Sequence, residues 1–354
     1  MDQTLLDRID KFVAQTDPET RQQLIEQLDE LERLERVEKC REDFLAFVRA
    51  VWPVFIESAH HRQMAKIFEG VVRGDKKRAI VNIRPRVGKS ELTSWLLPAW
   101  YIGKFPNKKI MQVTHTASLA TKYGKRVRDL IATPYYQEIF PGVKLKKDSK
   151  AAGKWETTHG GEYFAAGTDT NLAGWGADLC VIDDPVSEQD GKTGKKEVFD
   201  KVYDWYTSGP RQRLQPGAAV LVVMTRWHKA DLTGRLIQSS VESPGADQWE
   251  IISLPAILPS GATLFSEMWP KDQVLAAKAS MSTGQWNAQF QQNPTSEEGA
   301  LIKREWWQRW EQDDPPKVES TIMSWDTAFS DKQRANYSAM TLWGVFYSGE
   351  NEHK

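Results

Sequence analysis

The sequence predicts an α/β fold, a mostly parallel central sheet flanked by helices, and three observations carry that prediction. From residue 79 to 255, short apolar runs alternate with amphipathic segments, the pattern of strand–helix units packed in layers. One run, Ala79-Ile80-Val81-Asn82-Ile83, passes through Arg84-Pro85-Arg86-Val87 into Gly88-Lys89-Ser90-Glu91-Leu92, which reads as strand, tight loop, helix. Another, Ala177-Asp178-Leu179-Cys180-Val181-Ile182, ends in Asp183-Asp184-Pro185.

The elements follow in order. Residues 1–43 read as a helical segment: Asp17-Pro18 is an N-cap and first-turn pair, and Leu24, Leu28, Leu31, Leu34 and Val37 fall near one face. The expectation is an amphipathic helix packed on the main domain, with docking to a partner as the alternative. His60-His61-Arg62-Gln63 opens a helix leading to the first strand. Strands are expected at 79–83, 109–114, 161–166, 178–183, 218–225 and 249–254, and helices near 89–102, 117–132, 194–207 and 229–240. Segments 271–280 and 283–292 read as helices that close a domain spanning 44–293. Residues 294–318 read as a linker with a short Trp-rich helix, and the piece 319–354 carries two strand-like runs, Thr321–Asp326 and Ser338–Phe346.

The chemistry gathers at three places. Around Gly88-Lys89-Ser90 the loop from Arg86 to Glu91, Val87 included, is expected to wrap nucleotide phosphates with backbone N–H groups and a helix N-terminus. Lys89, expected as an exposed loop lysine, would neutralise the β/γ oxygens, and Ser90 would ligate Mg2+. The usual motif has glycine five residues before Gly88; here that position is Ile83, and Arg84 and Arg86 occupy a loop where small residues are common. Asp183 would end a strand beside the phosphate-loop strand and hold the magnesium shell. Asp184 would orient or deprotonate the attacking water, with Glu188 or Asp190 as substitutes. At the third place, a β-rich run ends in Met224-Thr225-Arg226-Trp227-His228, where a hydroxyl and a guanidinium can sense the γ-phosphate; Trp227 and His228 read as packing groups. Ligands of parallel sheets bind at the carboxyl ends of strands, so Ser90, Asp183 and Thr225 can converge on one nucleotide.

Composition sets bounds. The 354 residues suffice for one large domain and a smaller one, and 40% hydrophobic content is ample for a core. A net charge of −1 gives no overall basic footprint, although Lys76-Lys77-Arg78 and the lysines and arginines of 122–128, 144–147 and 192–196 form local clusters. Two distant cysteines, Cys40 and Cys180, suggest neither a disulfide nor a cysteine-based zinc site. No apolar run is long enough to span a membrane and no signal peptide is evident, which fits a reducing cytoplasm.

Taken in order, these motifs resemble the large subunit of tailed-bacteriophage terminases, the DNA-packaging motors. The likeness includes Asn171-Leu172-Ala173-Gly174-Trp175-Gly176-Ala177-Asp178, Asp231-Leu232 with Gly234-Arg235-Leu236, Trp286-Asn287-Ala288-Gln289-Phe290-Gln291-Gln292-Asn293-Pro294, Glu298-Gly299-Ala300-Leu301-Ile302-Lys303-Arg304-Glu305-Trp306-Trp307 and Ser324-Trp325-Asp326-Thr327-Ala328. It runs from about Phe44 to about Val345. The resemblance implies a P-loop NTPase with a deviant Walker A loop. It implies Mg-ATP hydrolysis coupled to movement of double-stranded DNA into a procapsid, with portal protein and small terminase subunit as partners. A homo-oligomeric ring in the host cytoplasm, docked transiently on the procapsid and absent from the mature virion, is implied too. Gln63 becomes a candidate adenine contact, and Arg84 or Arg86 a candidate arginine finger in cis; relatives often carry arginine where Trp175 stands. Asp326 would be the first metal-binding carboxylate of an RNase H-like nuclease, Asn336 stands where relatives often carry aspartate, and the later carboxylates are expected beyond residue 354. A truncated nuclease without cleavage activity is therefore expected. A helicase-like nucleic-acid ATPase and an inactive remnant are the alternatives.

Overall fold

The structure, a computed structural model, describes residues 17–295, 317–326, 339–348 and 352–353. Strands form where the apolar runs are densest. β1 is Arg78–Ile83, β2 Lys109–Thr114, β3 Leu145–Ala151, β4 Lys154–Thr157, β5 Glu162–Gly167, β6 Ala177–Asp183, β7 Leu214–Met224 and β8 Glu250–Leu254. They make one sheet in the order β3-β4-β5-β2-β6-β7-β1-β8. From β5 to β8 every pairing is parallel; β4 and β3 extend the edge antiparallel. The phosphate-loop strand β1 is not beside β6, as the sequence suggested. β7 lies between them and pairs with both. The β3–β4 pair was not foreseen because Leu145-Lys146-Lys147-Asp148-Ser149-Lys150-Ala151 carries no apolar alternation.

Central strands are apolar on both faces because both faces are covered. Alternate residues feed two cores. Val81, Ile83, Leu179, Val181, Leu221 and Val223 belong to one, and Ile80, Cys180, Ile182, Val220 and Val222 to the other. The first core is roofed by α1 (Pro18–Glu42), α2 (Phe44–Val51), α3 (Ala59–Arg73), α4 (Leu97–Lys104), α5 (Ala117–Ile131) and the short α6 (Pro134–Ile139). Beyond the five-residue α7 (Glu188–Lys192), the second is covered by α8 (Lys196–Ser208) and α9 (Leu232–Glu242), through Phe199, Val202, Tyr206, Leu232 and Leu236. α10 (Lys271–Ala279) and α11 (Thr283–Gln285), which runs into a π-helical turn at Trp286–Phe290, follow the last strand of the sheet.

Two details depart from the expected helices. Residues Glu91–Leu96 form a π-helical turn before α4 rather than α-helix. Pro98 cannot donate to the Ser94 carbonyl and its ring crowds that group, so the turn widens. In α1, Asp17 caps as expected, accepting from the N–H groups of Glu19 and Thr20. The leucine stripe, however, is not packed: Leu28 and Leu31 are 59% and 53% exposed, while only Val37 and Cys40 are buried. Steps of three residues lag a helical turn by about 60°, so the stripe winds off the contact line.

Both cysteines are buried and free. No helix among the described residues is long and apolar enough to cross a membrane. The chain divides into two units, Met1–Ser296 and Glu297–Lys354. In the second, β9 (Ser320–Asp326) pairs antiparallel with β10 (Ala339–Val345), and Met323 and Trp325 lie opposite Leu342 and Met340 on one exposed apolar face. The Trp-rich helix expected within 294–318, Asn336, and the Asp326 side chain lie outside what is described.

Phe44 is fully buried between Phe68 and Trp100, at ring distances of 5.7 and 5.4 Å. Phe44→Ala is expected to cost about 3–5 kcal/mol in denaturant unfolding. Leu28→Glu, on the exposed part of α1, is expected to change stability by less than about 0.5 kcal/mol.

Candidate active site

The loop after β1 turns through two left-handed positions, Arg86 at φ 64° and Gly88 at φ 79°. Gly88 is needed there on two counts, since a Cβ would also stand 3.1 Å from His61 Nε2. Two loop carbonyls, those of Arg86 and Val87, meet side chains from other elements. His60 Nε2 and His61 Nε2 both reach the Val87 carbonyl, at 3.2 and 3.0 Å. The Ser58 N–H donates to His61 Nδ1, so the neutral ring carries its proton on Nε2 and donates to Val87. Burial pushes His61 down to about 3, which keeps it neutral. Trp269 Nε1 donates to the Arg86 carbonyl at 2.9 Å. Sequence reading missed all three side chains; only the His60-His61 pair, at the start of the helix that precedes β1, offered a signal. Gln63, two residues on, is exposed at the start of the second turn of α3.

Lys89 is 4% exposed, not the exposed lysine expected. Its ammonium pairs with Asp184 and donates to Thr225 Oγ1 at 2.9 Å. Thr225 in turn donates through its N–H to Asp184 Oδ1 at 2.8 Å and through its hydroxyl to the Ile83 carbonyl at 3.1 Å. Asp184 reaches this position by a left-handed backbone, φ 44°, with its N–H on the Val223 carbonyl. Thus the ends of β1, β6 and β7 are tied through three polar side chains, those of Lys89, Asp184 and Thr225.

Asp183 points the other way, into the protein. It is 2% exposed; Oδ2 accepts from Ser94 Oγ at 2.7 Å, and Gln112 Nε2 donates to the same hydroxyl at 2.9 Å. The π-helical turn carries Ser94 to that contact. Oδ1 is buried and accepts no hydrogen bond among the described residues. Burial first, and the charge of Asp184 second, push Asp183 up to about 6, against the opposing pull of Lys89 and Ser94. A dry carboxylate with one open oxygen, beside the half-buried Ser90, fits a hydrated magnesium ion. Among the described residues no group of three or more His, Cys, Asp or Glu side chains could hold a metal. Magnesium in nucleotide sites keeps waters and phosphate ligands and does not require such a cage.

Several expected roles change. Arg226 is not aimed at the phosphate position: its Nε makes two bonds to the fully buried Asp231, at 3.0 and 2.8 Å, and its Nη2 donates to the His228 carbonyl. Asp231 also caps α9 through the Gly234 N–H, so the pair is a bracket for the β7–α9 connection. The Glu91 carboxylate is tied to Arg126 at 2.5 Å, leaving only its backbone for a ligand. Arg84 is buried between the Trp269 and Phe290 rings, at 5.0 and 4.5 Å, and makes no ion pair among the described residues. Burial lowers it to about 10, so it stays charged at neutral pH but is not free to swing as a finger. Arg86 is exposed. Glu188 pairs with Lys192, and Asp190 accepts from Ser187, both at exposed positions, so neither joins the Lys89 cluster. Trp175 stacks flat on Phe164 at 4.2 Å beneath the Lys154 ammonium. Trp227 packs on Gly191 and His228 stacks on Phe199, the packing roles expected.

No family model matches the chain, and no curated protein matches it. Among solved structures the chain is similar to the large terminase of bacteriophage HK97, with 18% identity and a TM-score of 0.44 over 72% of this chain and 53% of that one. It is similar to the large terminase ATPase domain of Thermus phage P74-26, with 12% identity and a TM-score of 0.41 over 68% and 95%. The large terminase of a thermophilic bacteriophage gives 11% identity and a TM-score of 0.44 over 79% and 65%. The chain thus spans about half the length of the HK97 protein. At these identities no residue correspondence follows from the likeness.

The raised Asp183 sets a pH dependence. Its folded value of about 6 exceeds the ordinary 3.8, so its contribution to stability is full below pH 3.8 and is lost as pH rises through 6. In ligand-free protein without divalent metal, Asp183→Asn is expected to raise the melting temperature at pH 7.5 by about 2 °C or more. That gain is expected to vanish toward pH 4, as melting curves across this range would show.

Proposed function

We propose that this chain is an ATP-hydrolysing motor subunit that translocates double-stranded viral DNA into a procapsid. The observation that supports this most is the meeting of Lys89, Thr225 and Asp184 at the carboxyl ends of β1, β7 and β6. The motif order along the rest of the chain, which resembles that of terminase large subunits, supports the DNA-moving half of the reading.

The chain's own residues divide the work. Phosphate oxygens compete with Asp184 for the Lys89 ammonium and draw it toward the β/γ position. Asp184, released from that pair, is still held at Oδ1 by the Thr225 N–H, and its other oxygen is free to orient water. Thr225 bridges Lys89 and the β1 carbonyl terminus, so loss of the γ-phosphate is felt at the end of β7. Ser90 and Asp183 would hold Mg2+, which supplies neutralising charge for the phosphates. Arg84, a buried cation without a carboxylate partner among the described residues, adds positive potential at the loop. Double-stranded DNA, a portal protein, a small terminase subunit and further copies in a ring are the partners in this reading, and the host cytoplasm is the compartment.

Four variants test the site. Lys89→Ala is expected to lower steady-state ATP turnover by ~100-fold or more. Asp183→Ala is expected to weaken Mg-ATP binding, whereas Asp184→Asn spares binding and lowers kcat by roughly 100-fold. Normal turnover in Asp184→Asn, together with a dead Glu188→Gln, would place the water-directing acid elsewhere. Protection of DNA from nuclease when portal-bearing procapsids are supplied tests the motor half. Strand separation on forked DNA would identify a helicase instead.

A further inference from the structure

We infer that Trp269 is a positioning residue of the phosphate loop, acting through the peptide between Arg86 and Val87; this rests on the ATP-site reading above. The loop lacks the glycine usual at position 83 and places a side-chained residue, Arg86, at φ 64°. A loop whose amides point inward at an anion must send its carbonyls outward, and side-chain donors that hold those carbonyls fix the peptide planes. Those donors come from outside the loop. His60 and His61 serve Val87, and Trp269 Nε1 serves Arg86.

Trp269 does not act alone. The segment that bears it is fixed at both ends: the Ala256 N–H donates to the Phe290 carbonyl at 2.7 Å, and Gln292 Oε1 accepts from the Arg226 N–H at 3.1 Å. Within it, Phe265 packs on His60 and His61 at 5.0 and 5.3 Å, and Trp269 with Phe290 encloses Arg84. The segment therefore touches the loop through Trp269 and Phe290, and through Phe265 it touches the two histidines that serve the loop. Trp269 is half-exposed and borders two apolar clusters, so its hydrogen bond is removable by a phenylalanine that keeps a ring against them.

Loop amides hold phosphate in the ground state and in the transition state alike. Loosening the Arg86–Val87 peptide should therefore weaken nucleotide binding and leave the chemical step alone. Losing the aromatic clamp as well would let Arg84 move, which should affect turnover.

The test compares Trp269→Phe with Trp269→Ala by steady-state ATP kinetics, by equilibrium binding of a fluorescent (methylanthraniloyl) ADP, and by melting temperature as the check on folding. Trp269→Phe keeps a ring on Arg84 but loses the donor. KM and the ADP Kd are expected to rise roughly 3- to 10-fold, with kcat within about twofold of wild type. Trp269→Ala is expected to show the same loss of affinity and, in addition, a kcat lowered by about tenfold. Wild-type KM and Kd in Trp269→Phe overturn the inference, as does a fall in kcat with KM unchanged. Wild-type protein that binds no nucleotide at all would sink the ATP-site reading and this inference with it, an outcome distinct from a silent Trp269→Phe.

Discussion

A lysine ammonium buried at the carboxyl end of a parallel sheet is the charge that the surrounding structure answers. Desolvating it is costly unless a carboxylate and further hydrogen bonds compensate. The carboxylate is that of Asp184, the hydroxyl that of Thr225, and the Thr225 N–H completes the triangle by holding the carboxylate. That triangle needs β7 between β1 and β6, because Thr225 has to touch the β1 carbonyl on one side and Asp184 on the other. Sheet order and site geometry are therefore one constraint.

Backbone strain collects at the same place. Three non-glycine residues among those described have positive φ: Arg86, Asp184 and Gln292. Such positions cost roughly 1–3 kcal/mol each and persist only when their surroundings hold them. Arg86 shapes the loop, Asp184 turns its carboxylate back toward Lys89, and Gln292 presents Oε1 to the backbone of Arg226. Each is tied by hydrogen bonds to a different element, so the strained residues and the ligand-facing ones form a single network.

The parallel sheet was legible because its strands are apolar on both faces and its helices alternate with them. Six of the eight strands lie within a few residues of their expected bounds, although β7 begins at Leu214 rather than 218. The placement of Lys89, Asp183, Asp184 and Thr225 at or just beyond strand ends was legible as well, since all end or follow apolar runs. What could not be read was side-chain direction. Nothing in Thr-Arg-Trp-His says that Arg226 turns back to Asp231, or that Glu91 reaches Arg126 on a separate helix. His61 and Trp269 lie 26 and 183 residues from the loop carbonyls they serve, a relation that only the folded chain creates. The packed N-terminal helix was misjudged because leucines three apart look like one face in sequence while winding around a helix in space.

The two buried arginines of the site make the physical distinction plain. Arg226 has a fully buried carboxylate, two hydrogen bonds to it and a carbonyl besides, so its charge is consumed internally and no ligand is needed to explain it. Arg84 is equally removed from water, yet its neighbours are two aromatic rings, whose attraction offsets only part of the desolvation of a full charge. Its burial depresses its pKa, whereas Arg226 keeps a compensating acid. A cation left uncompensated beside a loop whose Arg86 and Val87 carbonyls are held by outside donors creates positive potential at that loop. An anion bound there would offset the charge of a guanidinium that lacks a carboxylate among the described residues. The rings that enclose Arg84 include the one whose N–H holds the Arg86 carbonyl, so the charge and the loop shape are set by the same aromatic side chain.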